Sequence, residues 1–175
     1  MNEEEVTVQT IQKIKKFMFA DLDKTIALYN ISPARAPNFM LALVLCCYTE
    51  FWGRLIVSPK GEHEDKRCFK TFFCKLGMKY KDLLLQRDIY DHVRCGLVHE
   101  YSIKSVKGDD SMIKIEGGDC GIVYDKQNRN YTFYVRKYLE DFKIAVNKYI
   151  EELKADPDKF SRAKQVLERK RIKVS

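Results

Sequence analysis

Residues 39–48 read Phe-Met-Leu-Ala-Leu-Val-Leu-Cys-Cys-Tyr, the longest apolar run in the chain. A membrane-spanning helix needs about 20 such residues, and this shorter run is soon followed by the charged side chains of Glu50 and Arg54. The spacing predicts a helix from about residue 37 to residue 56 that is apolar on most faces. Such a helix is typical of the centre of a soluble helical bundle, so no membrane partner is expected.

Further helices are predicted on both sides of this central helix. Apolar side chains at helical spacing mark residues 5–30. After a polar loop, a third helical stretch begins near Lys66 and is interrupted near Gly77. Two more predicted helices are marked by their apolar positions, which are Leu83, Leu84, Ile89, Tyr90, Val93 and Leu97 in one, and Tyr138, Phe142, Ala145, Val146, Tyr149, Ile150 and Leu153 in the other.

The pattern changes to short β-branched and aromatic segments around residues 111–135. A turn signal at 107–110 precedes them, and Gly117-Gly118 and residues 125–130 separate them. These features predict a small antiparallel β insertion, either packed on the bundle or projecting as a nucleic-acid finger. The whole chain, residues 1–175, is therefore predicted to be mostly α: a single-domain bundle of about five to six helices with this insertion.

The positive charge is concentrated at the C-terminal end. The formal net charge is +7, and residues 159–175 hold seven basic residues and one acidic residue. Asp156-Pro157 combines an N-cap with a proline at the first helical position, so a last helix and tail are predicted over 157–175. The segment is interpreted either as a cationic arm that binds phosphates or an acidic partner, or as a solvated terminal helix. The candidate binding residues are Arg162, Lys164, Arg169, Lys170 and Arg171.

Several classes of chemistry are excluded by missing motifs. The sequence contains no phosphate-binding glycine-rich loop, no G-x-S-x-G and no H-E-x-x-H. None of the six cysteines forms a C-x-x-C pair, and the three histidines give no zinc-ligand spacing. No metal and no cofactor are therefore expected. The absence of an apolar leader and the adjacent Cys46 and Cys47 favour reduced thiols in a cytoplasmic protein.

Two Arg-x4-His pairs stand in residues 86–101, Gln-Arg-Asp-Ile-Tyr-Asp-His-Val-Arg-Cys-Gly-Leu-Val-His-Glu-Tyr. The pairs are Arg87/His92 and Arg94/His99. Histidine is a base near neutral pH, and arginine offers a permanent charge and a bidentate fork to phosphate. This combination suits RNA cleavage without a metal: the base takes the proton of a 2′-hydroxyl, and the cation stabilises the transition state.

The segment Arg94-Cys95-Gly96-Leu97-Val98-His99 resembles the Arg-x4–6-His motif of the HEPN superfamily. Members are small helical bundles, and many are metal-independent ribonucleases in which two motifs face each other across a homodimer. The resemblance implies RNA as a substrate, Arg94 and His99 as catalytic residues, and a homodimer. Many relatives are toxins, so an antagonist protein is a further implied partner.

Alternatives remain open at this motif. Members usually carry a polar residue after the arginine. Cys95 departs from that pattern and favours a catalytically inactive HEPN-like module that binds nucleic acid or a protein. Asp88 fits the pattern better, which keeps Arg87 and His92 as supporting or alternative residues. His99 could also serve only as a cation at a helix C-terminus. An unrelated helical adaptor is the last alternative.

Glu50 is the only acidic residue inside the apolar central helix, and a buried carboxylate needs a counter-charge. Arg94 is its expected partner, either to orient the arginine or only to close the core. On a regular α-helix, residues five apart differ by roughly 140° in direction, so Arg94 and His99 are not expected to share a face unless the helix frays near Gly96 or the site is shared between chains. Arg87 and Arg94, seven apart, fall roughly 20° apart on one continuous helix, which would allow a basic stripe along one dimer face.

Overall fold

The structure, a computed structural model, describes residues 3–31, 36–58, 64–104 and 111–170. The turn expected at 107–110 and residue Arg171 lie outside these ranges. The helices in the described part are α1 (Glu3–Ile31), α2 (Ala36–Val57), α3 (Asp65–Phe73), a 3₁₀ turn (Cys74–Leu76), α4 (Met78–Gln86), a π-helix (Tyr90–Glu100), α5 (Val135–Ala155) and α6 (Pro157–Lys170). The strands are β1 (Met112–Lys114), β2 (Ile122–Asp125) and β3 (Asn130–Tyr134). The fold is mostly helical with a small β insertion, as predicted.

Helix α2 is the central element that the apolar run predicts. It packs against α1, α3, α5, α6 and the π-helix, and Leu41, Leu45 and Trp52 are fully or almost fully buried. Its stretch Asn38–Val57 is long and apolar enough to cross a membrane, but half of that stretch is buried inside the protein. A buried core helix meets the same length and composition criteria, so α2 is compatible with a soluble protein.

Helix α3 lies unusually close to α2 because Gly53 has no side chain. A Cβ atom added at Gly53 would lie 1.8 Å from the carbonyl oxygen of Cys68. Aromatic rings from α2, α3 and α5 pack next to one another, and the rings of Trp52 and Tyr149 meet edge to face with centroids 6.2 Å apart. The buried apolar side chains of the described residues form one connected cluster.

The three strands form a mixed sheet in the order β1-β3-β2. Strand β2 pairs antiparallel with β3, but β1 pairs parallel with β3, so the expectation of an antiparallel insertion is wrong for β1. The chain between β1 and β2 does not turn back into a hairpin. It crosses to the far side of β3, with Gly117 and Gly118 at positive φ and the Tyr134 ring against Gly118. The sheet contacts α2, α4 and α5, so it is packed on the bundle.

Helix α6 begins where the sequence predicts. The Asp156 carboxylate accepts hydrogen bonds from the backbone N–H groups of Asp158 and Lys159, at 3.0 and 3.2 Å, which is the contact of an N-cap. The helix packs on α2 and α5 through the buried side chains of Ala163 and Val166. The basic C-terminal segment is therefore an integrated helix as far as residue 170.

Candidate functional site

The Arg94/His99 pair lies on the π-helix, Tyr90–Glu100. In a π-helix the backbone bonds join residues five apart, so residues at i and i+5 lie one above the other, as i and i+4 do in an α-helix. Arg94 and His99 are five apart and therefore lie on one side of this element. The expectation that they occupy different faces, which assumes α-helical geometry, is wrong.

The helix predicted to run continuously through Leu83 and Leu97 is interrupted. Helix α4 ends at Gln86, and Arg87 has an extended backbone, with φ −145° and ψ 148°. The Asp88 carboxylate then accepts the backbone N–H of Asp91 at 3.4 Å, a contact that supports the start of a new helix. Arg87 and Arg94 therefore do not share a helix, and the predicted basic stripe does not form.

Arg94 is held by Glu50, as the sequence predicts. Its Nη2 atom lies 2.8 Å from Oε2 of Glu50 in an ion pair without hydrogen-bond alignment, and the two side chains are only 14% and 9% exposed. Glu50 also accepts a hydrogen bond from Arg54 at 3.0 Å, and Arg54 pairs with Asp65. Glu50 is thus shared between two guanidinium groups, and two cations meet two anions at the junction of α2, α3 and the π-helix.

The surroundings keep Arg94 charged and fixed. Burial is the largest influence and would by itself lower the pKa of its guanidinium, but the Glu50 carboxylate, together with smaller contributions from Tyr90, Cys47 and Cys95, raises that pKa overall. The guanidinium carbon lies 5.4 Å from the centre of the Tyr90 ring. Burial raises the pKa of Tyr90 to about 12, with Arg94 acting in the opposite direction. Arg94 is a permanent cation with a small exposed fraction.

His99 is exposed in the last turn of the π-helix. Within the described residues it has no hydrogen bond or ion pair, and its acidic neighbour Glu100 pairs with Lys104 at 2.7 Å. Tyr101 follows in the left-handed conformation and ends the helix, with its N–H bonded to the carbonyl oxygen of Gly96. The imidazole of His99 is therefore free to meet a ligand beside the junction that holds Arg94.

Sequence reasoning missed the aromatic pair beside His99. The Tyr101 ring stacks on Phe39 of α2 with centroids 3.7 Å apart, and Tyr101 is 71% exposed. Val98 and Met40, also exposed, are 38% and 48% accessible. The position of Tyr101 in the motif segment was visible in the sequence. Its stacking partner was not, because Phe39 is distant along the chain.

The second pair, Arg87/His92, is brought together by two tyrosines that sequence reasoning also missed. The Arg87 guanidinium carbon lies 4.1 Å from the centre of the Tyr124 ring. The His92 Nδ1 atom lies 2.7 Å from the hydroxyl of Tyr131. Tyr124 and Tyr131 are cross-strand partners on β2 and β3, with ring centroids 4.8 Å apart. The cluster thus joins the α4–π-helix junction to the sheet.

The structure describes the side chains of three of the five basic C-terminal candidates, and these stand at separate positions along α6. Arg162 and Arg169 are exposed on α6, whereas Lys164 is half-buried and lies 3.8 Å from Glu168. Lys170 ends the helix, and Arg171 lies outside the described residues. Lys159, at the start of the same helix, pairs with Glu152 and Asp156. Part of the local positive charge is therefore balanced within the protein.

Comparisons with protein-family models, with curated proteins and with solved structures find no significant match to this chain. Among the described residues, no three His, Cys, Asp or Glu side chains form a group that could hold a metal ion. All six cysteines are free thiols, and Cys46, Cys68 and Cys120 are buried.

Proposed function

We propose that this protein is a HEPN-like module that cleaves RNA without a metal and works as a cytoplasmic homodimer. The observation that supports the proposal most is the π-helix, because residues five apart, as Arg94 and His99 are, fall on one side of such a helix. A free imidazole and a permanent cation on one side of one element are the two groups that this reaction requires.

The proposed reaction has two roles for histidine and one for arginine. The His99 imidazole takes the proton of a ribose 2′-hydroxyl, and the 2′-oxygen forms a bond to the neighbouring phosphorus. Arg94 stabilises the added negative charge on the phosphoryl oxygens. The bond from phosphorus to the 5′-oxygen then breaks, and that oxygen takes a proton from the second His99 of the dimer. The products are a 2′,3′-cyclic phosphate and a 5′-hydroxyl.

Glu50 acts in this scheme as the residue that positions Arg94. Because Glu50 is shared with Arg54, it neutralises Arg94 only in part. The exposed 14% of the Arg94 side chain is where a phosphate would approach. The exposed apolar side chains beside His99, those of Val98 and Tyr101, support an interface with a second copy.

The alternative is a catalytically inactive module of the same kind that binds RNA. Two observations favour it. Arg94 is mostly buried and already paired with a carboxylate, which limits its contact with an external phosphate. Cys95 also stands where relatives of the resembling family carry a polar residue. The two proposals differ in one measurable property, the cleavage of RNA.

Cleavage of a mixed-sequence RNA in the presence of EDTA tests the proposal. His99→Ala is expected to lower the rate by a factor of about 100 or more, since general acid–base catalysis contributes that much. The control is Lys24→Gln, on the exposed surface of α1, which is expected to leave the rate unchanged. The products should carry cyclic phosphate ends.

If the wild-type protein cleaves nothing at high concentration, the ribonuclease proposal is wrong. Salt-dependent RNA binding by the same preparation would then support the inactive module. Equal rates for wild type and His99→Ala would assign any observed cleavage to another site or to a contaminant. Circular dichroism of each variant shows whether the fold is kept.

A further inference from the structure

We propose that Arg87, His92 and Tyr124 form a second site, which binds a backbone phosphate of single-stranded RNA. The three side chains come from the α4–π-helix junction, the first part of the π-helix and strand β2. Their placement depends on the sheet, because Tyr131 of β3 lies between His92 and Tyr124. The inference rests on the proposed function for the identity of the ligand as RNA.

The charge of Arg87 is not balanced by its acidic neighbours. Asp88, the next residue, pairs with Lys66 and lies 3.7 Å from Lys70. Asp91 lies 3.0 Å from the same Lys66. Both carboxylates are therefore already met by lysines. No carboxylate pairs with Arg87 in the part of the chain that the structure describes, in contrast to Arg94.

The hydrogen-bonding edge of Arg87 is also unused. The Nε atom is buried and has no acceptor among the described residues. The guanidinium lies over the face of Tyr124 at 4.1 Å, and a contact through the face leaves the N–H donors available to another group. The two terminal Nη groups also have no acceptor among the described residues and are not buried, so a phosphate oxygen would form its charge-assisted bonds there.

His92 offers a second donor to the same ligand. Its Nδ1 atom is occupied by the Tyr131 hydroxyl at 2.7 Å. Burial raises the pKa of Tyr131 to about 12, with Arg87 acting in the opposite direction, so this phenol keeps its proton at neutral pH. When that proton is donated to Nδ1, the imidazole hydrogen lies on Nε2. Nε2, which makes no hydrogen bond among the described residues, is then the donor available to a ligand.

Arg87 and His92 together suit a phosphate group. The RNA strand that carries this phosphate would also reach the first site, Arg94 and His99. An arginine fork and an imidazole N–H match the oxygens of a phosphate group. His92 and His99 are seven residues apart on the π-helix, which is less along its axis than the about 10 Å of an α-helix. Because residues five apart lie on one side of a π-helix, residues seven apart point to different sides. An RNA strand that contacts both sites must therefore follow the surface around the helix, and the second site would hold the strand while Arg94 and His99 act on another phosphate.

RNA binding is best measured in a His99→Ala background, in which the RNA stays intact. The affinity for a labelled oligoribonucleotide is followed by fluorescence anisotropy at several salt concentrations. Adding Arg87→Gln is expected to weaken binding about 10-fold and to reduce the salt slope by about one. The charge-matched control is Lys24→Gln on α1, for which affinity and slope should not change. Equal affinity and slope for Arg87→Gln and its parent would overturn the proposal.

A conservative variant distinguishes the loss of a phosphate contact from a loss of the fold. Arg87→Lys keeps the charge but loses the fork, so it is expected to keep the salt slope and to bind about 3-fold more weakly. With intact His99, Arg87→Gln should raise KM and leave kcat unchanged. The binding measurement does not depend on cleavage. Failure of the second site and failure of the ribonuclease proposal are therefore distinguishable.

The ligand itself is identified from the imidazole NMR signals of His92, one of only three histidines in the chain. The probes are inorganic phosphate, adenosine monophosphate and the oligoribonucleotide. A shift of the His92 signals at low concentrations of the oligoribonucleotide alone supports a backbone site. An equal response to inorganic phosphate would overturn the assignment to RNA, and no response to any probe would overturn the site.

Discussion

Arg87 and Arg94 each precede a histidine by five positions in the sequence, but their electrostatic surroundings differ. Arg94 faces Glu50 in a nearly buried ion pair, whereas no carboxylate pairs with Arg87 in the described residues. The difference arises because Glu50 projects from α2 onto the π-helix, while the acids near Arg87 are taken by lysines of α3. Arg94 is thus held in place by an ion-pair network, whereas Arg87 keeps N–H donors that no carboxylate of the described residues occupies.

Removing Glu50 tests how much that junction contributes to stability. Glu50→Ala leaves Arg54 and Arg94 with only Asp65 between them. Breaking a largely buried ion pair leaves an uncompensated charge and costs about 3 kcal/mol. Urea denaturation monitored by tryptophan fluorescence should therefore show a free energy of unfolding lower by about that amount.

The control for this change is Glu151→Ala, which removes the same side chain from a 2.8 Å pair with Lys154 on the surface of α5. Exposed pairs contribute about 0.2–1 kcal/mol, so this variant should unfold almost as the wild type does. Similar small losses for both variants would mean that the Glu50 pair is solvated in solution.

The π-helix is the element that sequence reasoning could not identify. Ile89, Val93 and Leu97 are spaced by four, are buried, and fit an α-helix equally well. An α-helix and a π-helix differ by one residue in their hydrogen-bond pattern, and apolar spacing over eleven residues does not separate them. A contact with the segment that follows the helix was not visible in the sequence either. The chain returns so that Lys104 donates its N–H to the carbonyl oxygen of His92 at 2.9 Å.

Gly96 is required for this return, and its substitution tests the element. In an ordinary helix Gly→Ala stabilises by up to about 1 kcal/mol. Here a Cβ atom would lie 2.5 Å from the carbonyl oxygen of Ser102 and 3.1 Å from the amide of Lys104. Gly96→Ala is therefore expected to destabilise the protein, lowering the free energy of unfolding by about 2 kcal/mol.

Thermal and urea denaturation measure this effect. Gln165→Ala, at an exposed position of α6, is the matched control and should change stability by less than about 0.5 kcal/mol. A Gly96→Ala protein as stable as the control would mean that the segment after Tyr101 does not pack on the π-helix.

At the scale of the whole molecule, local signals predicted most of the architecture. The apolar run around Leu45 predicted the central helix, and Asp156 predicted the start of α6, because both depend on neighbouring residues. The Glu50–Arg94 pair was also predicted, since a lone acid in an apolar helix requires a cation. The parallel pairing of β1 with β3 was not predicted, because it depends on where the chain crosses between distant segments.

The oligomeric state depends on a surface that only the folded chain assembles. Met40 on α2 and Val98 and Tyr101 near the end of the π-helix are exposed apolar side chains from two elements. Val98 and Tyr101 are close to the proposed catalytic residue His99 along the chain, and Phe39, the residue before Met40, stacks on Tyr101. If this face joins two copies, Met40→Glu places two carboxylates in an apolar interface and should convert a dimer into monomers. Analytical ultracentrifugation at micromolar concentration measures this directly.

The expected loss of the dimer should be accompanied by loss of cleavage, because the proposed reaction takes its acid from the second copy. Leu85→Glu is the matched control. It makes the same kind of change at a side chain that is 86% exposed on α4, and it should leave both the dimer and the activity unchanged. Met40→Glu should unfold at the wild-type temperature, since the side chain is half exposed in the single chain. A wild-type protein that sediments as a monomer would rule out this interface and the two-histidine reaction together, because one motif alone supplies no separate acid.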